Sequence, residues 1–139
     1  MIVVDTNVLS EPLKPRPDPA ILQWFDSYAP ESFYLAAPVL AEILNGIEPL
    51  PEGKRKHAME QLLQSLMGHF FADRFLAFDR EAAIAYARLG RHTAEKGYTI
   101  SVVDCQIAAI AAVHGFAVAT RDVAPFRAAG VPVINPWQS

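Results

Sequence analysis

The chain has 139 residues, with 12 Lys+Arg against 15 Asp+Glu, four His and one Cys, and a formal net charge of −3. At 52% hydrophobic and 19% charged residues it is too apolar for intrinsic disorder, and a single cysteine supports neither a disulfide framework nor a Cys-based zinc site. The mild acidity, with a pI near 5.7, argues against a strongly basic nucleic-acid binder, though not against a metal-dependent nuclease. A chain of this size buries about two-thirds of its extended surface, enough for one domain spanning 1–139. The longest uncharged apolar stretch, 33–41, has nine residues and contains Pro38. That is far short of the ~20 needed to span a bilayer. The opening Met-Ile-Val-Val-Asp lacks the basic and long apolar regions of a signal peptide. A cytoplasmic protein without a membrane partner is expected.

In chain order, 2–4, 33–36, 75–78, 116–119 and 131–134 read as five strands, nearly continuous apolar runs suited to burial on both faces. Helical segments alternate with them. Asp18-Pro19 is an N-cap followed by proline at the first helical position, opening a helix with Ile21, Leu22, Trp24, Phe25 and Tyr28. Pro38 opens a helix over 39–47, and 53–71 carries Met59, Leu62, Leu63, Leu66, Met67 and Phe70 at helical spacing. Asp79 caps a helix that ends at Gly97, and Ser101 caps another that ends at Gly115. Alternating strands and helices predict an α/β three-layer sandwich with a mostly parallel five-stranded, Rossmann-like sheet.

Four carboxylates occupy informative places. Asp5 follows the first strand and Asp122 follows the fourth, so both sit at carboxyl ends, where open α/β sheets bind ligands. Glu42 and Asp104 stand on early turns of apolar helices at the same rim. Four such charges brought together repel each other, each pair by about 4 kcal/mol at about 4 Å and an effective dielectric near 20. Arg121 is the only base adjacent to any of them. Either some are protonated or a divalent cation fills the pocket, and all-oxygen donors favour Mg²⁺ or Mn²⁺ over Zn²⁺. Each acid also has a plain structural role open to it. Ser101 and Asp104 fit a capping box, Asp5-Thr6-Asn7 and Thr120-Arg121-Asp122 fit turns, and Glu42 fits a solvent-facing stripe.

These positions carry a family resemblance. Val4-Asp5-Thr6-Asn7, the stretch Val39-Leu40-Ala41-Glu42-Ile43-Leu44-Asn45-Gly46-Ile47, Ser101-Val102-Val103-Asp104 leading into Ile107-Ala108-Ala109, and Ala119-Thr120-Arg121-Asp122 followed by Phe126 resemble the PIN-domain ribonucleases. More narrowly the chain is similar to the VapC-type toxins of bacterial toxin–antitoxin modules. Asp5-Thr6-Asn7-Val8-Leu9-Ser10-Glu11-Pro12 and Asn135-Pro136-Trp137 look like the FitB-like branch. The resemblance implies Mg²⁺- or Mn²⁺-dependent hydrolysis of RNA phosphodiesters by the quartet Asp5, Glu42, Asp104 and Asp122. Asp5 and Asp104 would hold the ion, with Glu42 and Asp122 bound directly or through water. Thr6, Asn7 and Thr120 would orient these groups or contact phosphate. It further implies a cognate antitoxin, a homodimer within a larger toxin–antitoxin complex, and operator DNA reached only through the antitoxin.

Basic residues available to RNA are Lys14, Arg16, the Lys54-Arg55-Lys56 run, Arg121 and Arg127, although such a run often only begins a solvated helix. Cys105 reads as a small buried residue, and the histidines show no relay or ligand spacing. A PIN-like module that binds its partner without cleaving RNA is the alternative. An Asp-based phosphotransfer domain is a weaker one, since Asp5-Thr6-Asn7 lacks a second aspartate two residues on.

Overall fold

A computed structural model describes residues 1–138. Ser139, the last residue of the expected domain, lies outside the described residues. Five strands, β1 (Ile2–Val4), β2 (Phe33–Ala36), β3 (Phe75–Leu76), β4 (Ala117–Ala119) and β5 (Val133–Ile134), form one sheet in the order β3-β2-β1-β4-β5. Every pairing is parallel, with Ile2 opposite both Phe33 and Ala117, and Val118 opposite Val133. The predicted α/β class and the parallel sheet are therefore observed. β1 and most of β2 and β4 are buried, as their continuous apolar runs require. β3 and β5 are corrections: each pairs through only two residues, and Phe75 on β3 is 41% exposed. An edge strand has one neighbour and needs no second buried face.

The helices are α1 (Thr6–Ser10), α2 (Pro19–Asp26), α3 (Ala37–Ile47), α4 (Lys54–Leu66), α5 (Arg80–Glu95), α6 (Val102–His114) and α7 (Val123–Ala128). Caps appear where the side-chain chemistry predicts them. Asp18 accepts the Ala20 N–H, Asp79 accepts the Ala82 N–H, and the Ser101 hydroxyl accepts the Asp104 N–H. Gly97 (φ +81°) and Gly115 (φ +71°) end α5 and α6 in the left-handed region. α2 stops at Asp26, short of Tyr28, and α1 replaces the turn expected at Asp5-Thr6-Asn7. Turn and N-cap rest on the same bond from an aspartate to a nearby N–H, so that chemistry cannot separate them.

The helix expected over 53–71 is α only to Leu66; Met67–Phe71 widen into a π-turn that ends at Ala72 with φ +48°. Arg74 holds this exit. Its guanidinium donates to the carbonyls of Phe33 (3.0 Å), Pro30 (2.9 Å) and Phe70 (2.6 Å). The core below joins α2 to the sheet. Phe25, Phe33 and Phe70 meet at centroid distances of 5.0–5.7 Å, and Trp24 lies 5.2 Å from Phe25. Trp24 and Phe25 thus serve packing. Among the described residues, no helix is long and apolar enough to cross a membrane.

Candidate active site

In the order β3-β2-β1-β4-β5 the chain leaves β1 toward β2 and β3, then returns across the sheet to β4 on the other flank of β1. The carboxyl ends of β1 and β4 therefore frame the topological switch point, where connections diverge and leave a crevice. Asp5 is the first residue past β1, and Thr120 the first past β4.

Asp5 is 3% exposed, and both its oxygens are engaged. The Thr6 N–H donates to Oδ1 at 2.8 Å, capping α1, and the Thr120 hydroxyl donates to Oδ2 at 2.7 Å. The Thr120 oxygen in turn accepts the Asp122 N–H at 3.0 Å, fixing the start of α7. Thr6 reaches the other way and donates its hydroxyl to Glu42 Oε1 on α3. Asn7 Oδ1 accepts the Arg121 N–H at 3.2 Å, a second tie between α1 and the β4 loop. The three residues expected to orient the acids, Thr6, Asn7 and Thr120, are thus bonded to them or to their loops.

The electrostatics couple all four carboxylates. Burial pushes Asp5 up to about 6, against the lowering by Thr120 and Thr6 and with help from the charges of Asp104 and Glu42. Asp104, half-buried on α6, is also raised, first by burial and further by Asp122 and Glu42, while Ser101 opposes. Glu42 and Asp122 are exposed. Among the described residues, none of the four has an ion-pair partner; the ion pairs present join Lys14 to Glu11, Lys56 to Glu52 and Arg91 to Glu95. Also among the described residues, no three Asp, Glu, His or Cys side chains stand close enough to enclose an ion as they are. The quartet is gathered within Coulombic reach rather than closed into a cage.

Such an open, all-oxygen donor set fits a hard divalent cation that keeps several waters and takes only one or two carboxylates directly. Cys105 offers no softer ligand, because it is buried and its Sγ faces the Tyr86 carbonyl at 3.6 Å. Ser101, whose hydroxyl bears on the Asp104 carboxylate, was legible in the sequence only as a helix cap.

Beside Glu42 and Thr6 opens a cavity of about 560 Å³ between α1, α3 and α4. Leu13, Ile43, Ile47, Met59 and Leu62 give it an apolar wall, and Lys14 and Arg55 also line it. Part of the apolar stripe on α4 therefore faces this groove, and Leu62 is 40% exposed there. Lys56, read as part of a solvated basic run, is instead buried. Its ammonium donates to the Glu48 carbonyl at 2.9 Å, at the carboxyl end of α3.

A parallel α/β sheet with acidic side chains gathered at its switch point places the chain among α/β proteins with an acidic pocket at the strand carboxyl ends. The PIN-domain family matches residues 2–131, and the chain belongs to that family. It is 44% identical over 138 residues to VapC ribonuclease Y4jK of Sinorhizobium fredii, covering 99% of both chains. It is 42% identical over 137 residues to Toxin FitB of Neisseria gonorrhoeae, again covering 99% of both. Identity to the plasmid stability protein StbB of Pseudomonas syringae pv. tomato is 43% over the full length of both. The crystal structure of FitAcB from Neisseria gonorrhoeae superposes with a TM-score of 0.92 at 41% identity, covering 100% of each chain. PIN-domain nucleases of the VapC kind are generally dependent on a divalent metal.

Proposed function

We propose that this chain is a metal-dependent endoribonuclease toxin of a toxin–antitoxin module, formed by one domain over 1–139 and acting in the cytoplasm. The observation that carries this reading is Asp5, buried at the switch point, bonded to Thr120 and facing the charges of Asp104 and Glu42, with no basic side chain paired to it among the described residues. In this reading Asp5 and Asp104 hold Mg²⁺ or Mn²⁺, and Glu42 and Asp122 contribute directly or through water. When bound, such an ion activates water and offsets charge on the phosphodiester.

The chain's own residues do the positioning. Thr120 holds the Asp5 carboxylate in one orientation and favours its ionised form by donating to Oδ2. Thr6 holds Glu42 through its hydroxyl and caps onto Asp5 through its N–H, tying α3 to the end of β1. Asn7 and Thr120 secure the loop that carries Asp122. Asp104 projects from the first turn of α6, whose amide dipole lowers the cost of its charge.

An antitoxin neutralises the toxin by seating an apolar segment in the 560 Å³ groove, where it ends against Glu42 and Thr6. Relatives solved as complexes support a protein partner for this chain. One is FitAcB, and another is FitAB bound to an IR36 DNA fragment, at TM-score 0.92 and 41% identity. Here operator DNA is reached through the antitoxin, and two copies of the toxin join in the complex. Incubating the purified, antitoxin-free chain with single-stranded RNA and Mg²⁺ tests the reading, with Asp104→Ala as control. Cleavage that disappears on chelation and in the variant is expected. A chain that binds its antitoxin yet cuts no RNA is the silent binding module instead.

A further inference from the structure

We propose that Arg121, braced on Trp137, is the phosphate-binding residue that grips the RNA strand beside the acidic site. The inference rests on the nuclease reading above and assigns the residue that overcomes the site's repulsion of its substrate. Arg121 lies between Thr120 and Asp122, so the nearest charges along the chain are acidic. Yet among the described residues its guanidinium pairs with no carboxylate and makes no hydrogen bond. Its Cζ sits 4.6 Å from the centroid of the Trp137 ring instead.

Both partners of that contact are anchored independently. The Arg121 N–H is bonded to Asn7 Oδ1, and the flanking Thr120 is bonded to Asp5. Trp137 lies in the 3₁₀ turn Pro136–Gln138, with its N–H on Asn135 Oδ1, and packs against the core. The two segments are held together where the Thr120 N–H donates to the Ile134 carbonyl at 2.9 Å.

The indole's negative face attracts a guanidinium without neutralising its charge, whereas a carboxylate would cancel it. The Trp137 contact thus keeps an unpaired cation on the Thr120–Asp122 loop, at the same rim of the sheet as the acids, with its N–H donors free. A planar fork of donors suits a phosphate, and the delocalised cation also accepts an unstacked base against its open face. A single-stranded RNA whose scissile phosphate lies at the carboxylates would present a flanking phosphate to this rim. Trp137 is a positioning residue in this scheme, since it acts through Arg121.

The test is steady-state cleavage of a single-stranded RNA oligonucleotide in Mg²⁺, at several salt concentrations, by the full chain and four variants. Arg121→Ala is expected to raise KM about tenfold with kcat little changed. It should also make the slope of log affinity against log salt shallower by about 0.7, the value of one lost phosphate contact on a single strand. Arg121→Lys keeps the wild-type slope. Trp137→Ala raises KM while keeping the slope, because the charge remains but is no longer held, and Trp137→Phe restores KM. Thermal unfolding of each variant identifies any that fails to fold; should Arg121→Ala do so, Arg121→Gln, which keeps the bulk and removes the charge, takes its place with the same rise in KM and the same shallower slope expected. Wild-type cleavage with KM and slope unchanged in Arg121→Ala overturns this inference alone. A wild-type chain that neither binds nor cuts the oligonucleotide overturns the nuclease reading and the inference with it.

Discussion

The Thr120 hydroxyl donates to Asp5 Oδ2 at 2.7 Å, joining residues 115 positions apart across the switch point of the sheet. The same oxygen accepts the Asp122 N–H, so one hydroxyl orients a buried carboxylate and fixes the loop that carries another. Thr120 is fully buried and Asp5 is 3% exposed, so the Asp5 carboxylate has little water to replace a lost donor.

Thr120→Val keeps the shape and removes both bonds. Stability should fall by about 1–3 kcal/mol, and RNA cleavage by about 10- to 100-fold. Without the donor Asp5 is harder to ionise, so the acidic limb of the pH–rate profile should move to higher pH. Thr120→Ser should stay near wild type in both. Chemical denaturation and a pH series of initial rates check the pair.

The raised pKa of Asp5 has a definite sign in stability. A carboxyl with an ordinary value of 3.8 that reaches about 6 in the folded state is easiest to accommodate when protonated. Its favourable contribution is complete below pH about 4 and is lost as pH rises through about 6. The difference corresponds to about 3 kcal/mol, and Asp104 adds in the same direction. As far as these carboxyls decide it, metal-free protein should therefore unfold more easily at pH 7 than at pH 5. Asp5→Asn should flatten that part of the profile, and Mg²⁺ should stabilise the wild type above pH 6 more than the variant. Denaturation midpoints between pH 4 and 8, with and without Mg²⁺, measure it.

Asp5→Ala and Asp104→Ala should each abolish Mg²⁺-dependent cleavage while leaving the far-ultraviolet circular dichroism unchanged. Undiminished cleavage by either variant removes that residue from the site. Asp104 is the cleaner probe, because it is only half-buried and its loss leaves no buried donor unpaired.

Leu62 lines the groove beside Glu42 and is 40% exposed, so a charge placed there costs the free chain little. Leu62→Lys should weaken antitoxin binding by about 10-fold or more, the scale of losing one well-buried apolar contact. RNA cleavage by the antitoxin-free variant should stay near wild type. Titration calorimetry with the antitoxin, beside a cleavage assay, separates the two.

Ala72 leaves the π-turn with φ +48° and ψ −116°, a region that glycine enters far more easily than alanine. Ala72→Gly should stabilise the chain by about 1 kcal/mol and raise Tm by a few degrees, without altering cleavage. Calorimetric unfolding decides it.

Local chemistry made much of this molecule legible in the sequence. The continuous apolar runs of β1, β2 and β4 demanded burial on both faces, and Asp18, Asp79 and Ser101 declared their helix starts because a capping bond spans only two or three residues. The placement of Asp5 and Asp122 after apolar strands likewise put acids at a sheet rim. Tertiary structure alone decided the rest, because each remaining feature joins distant stretches of chain. The π-turn at Met67–Phe71 is held by Arg74 through carbonyls of Pro30 and Phe33, some forty residues away. β3 and β5 shortened because only one neighbour offered them hydrogen bonds. Whether Thr120 merely shaped a turn or gripped Asp5, and whether Arg121 met a carboxylate or an indole, depended on which strand ends the parallel sheet set side by side.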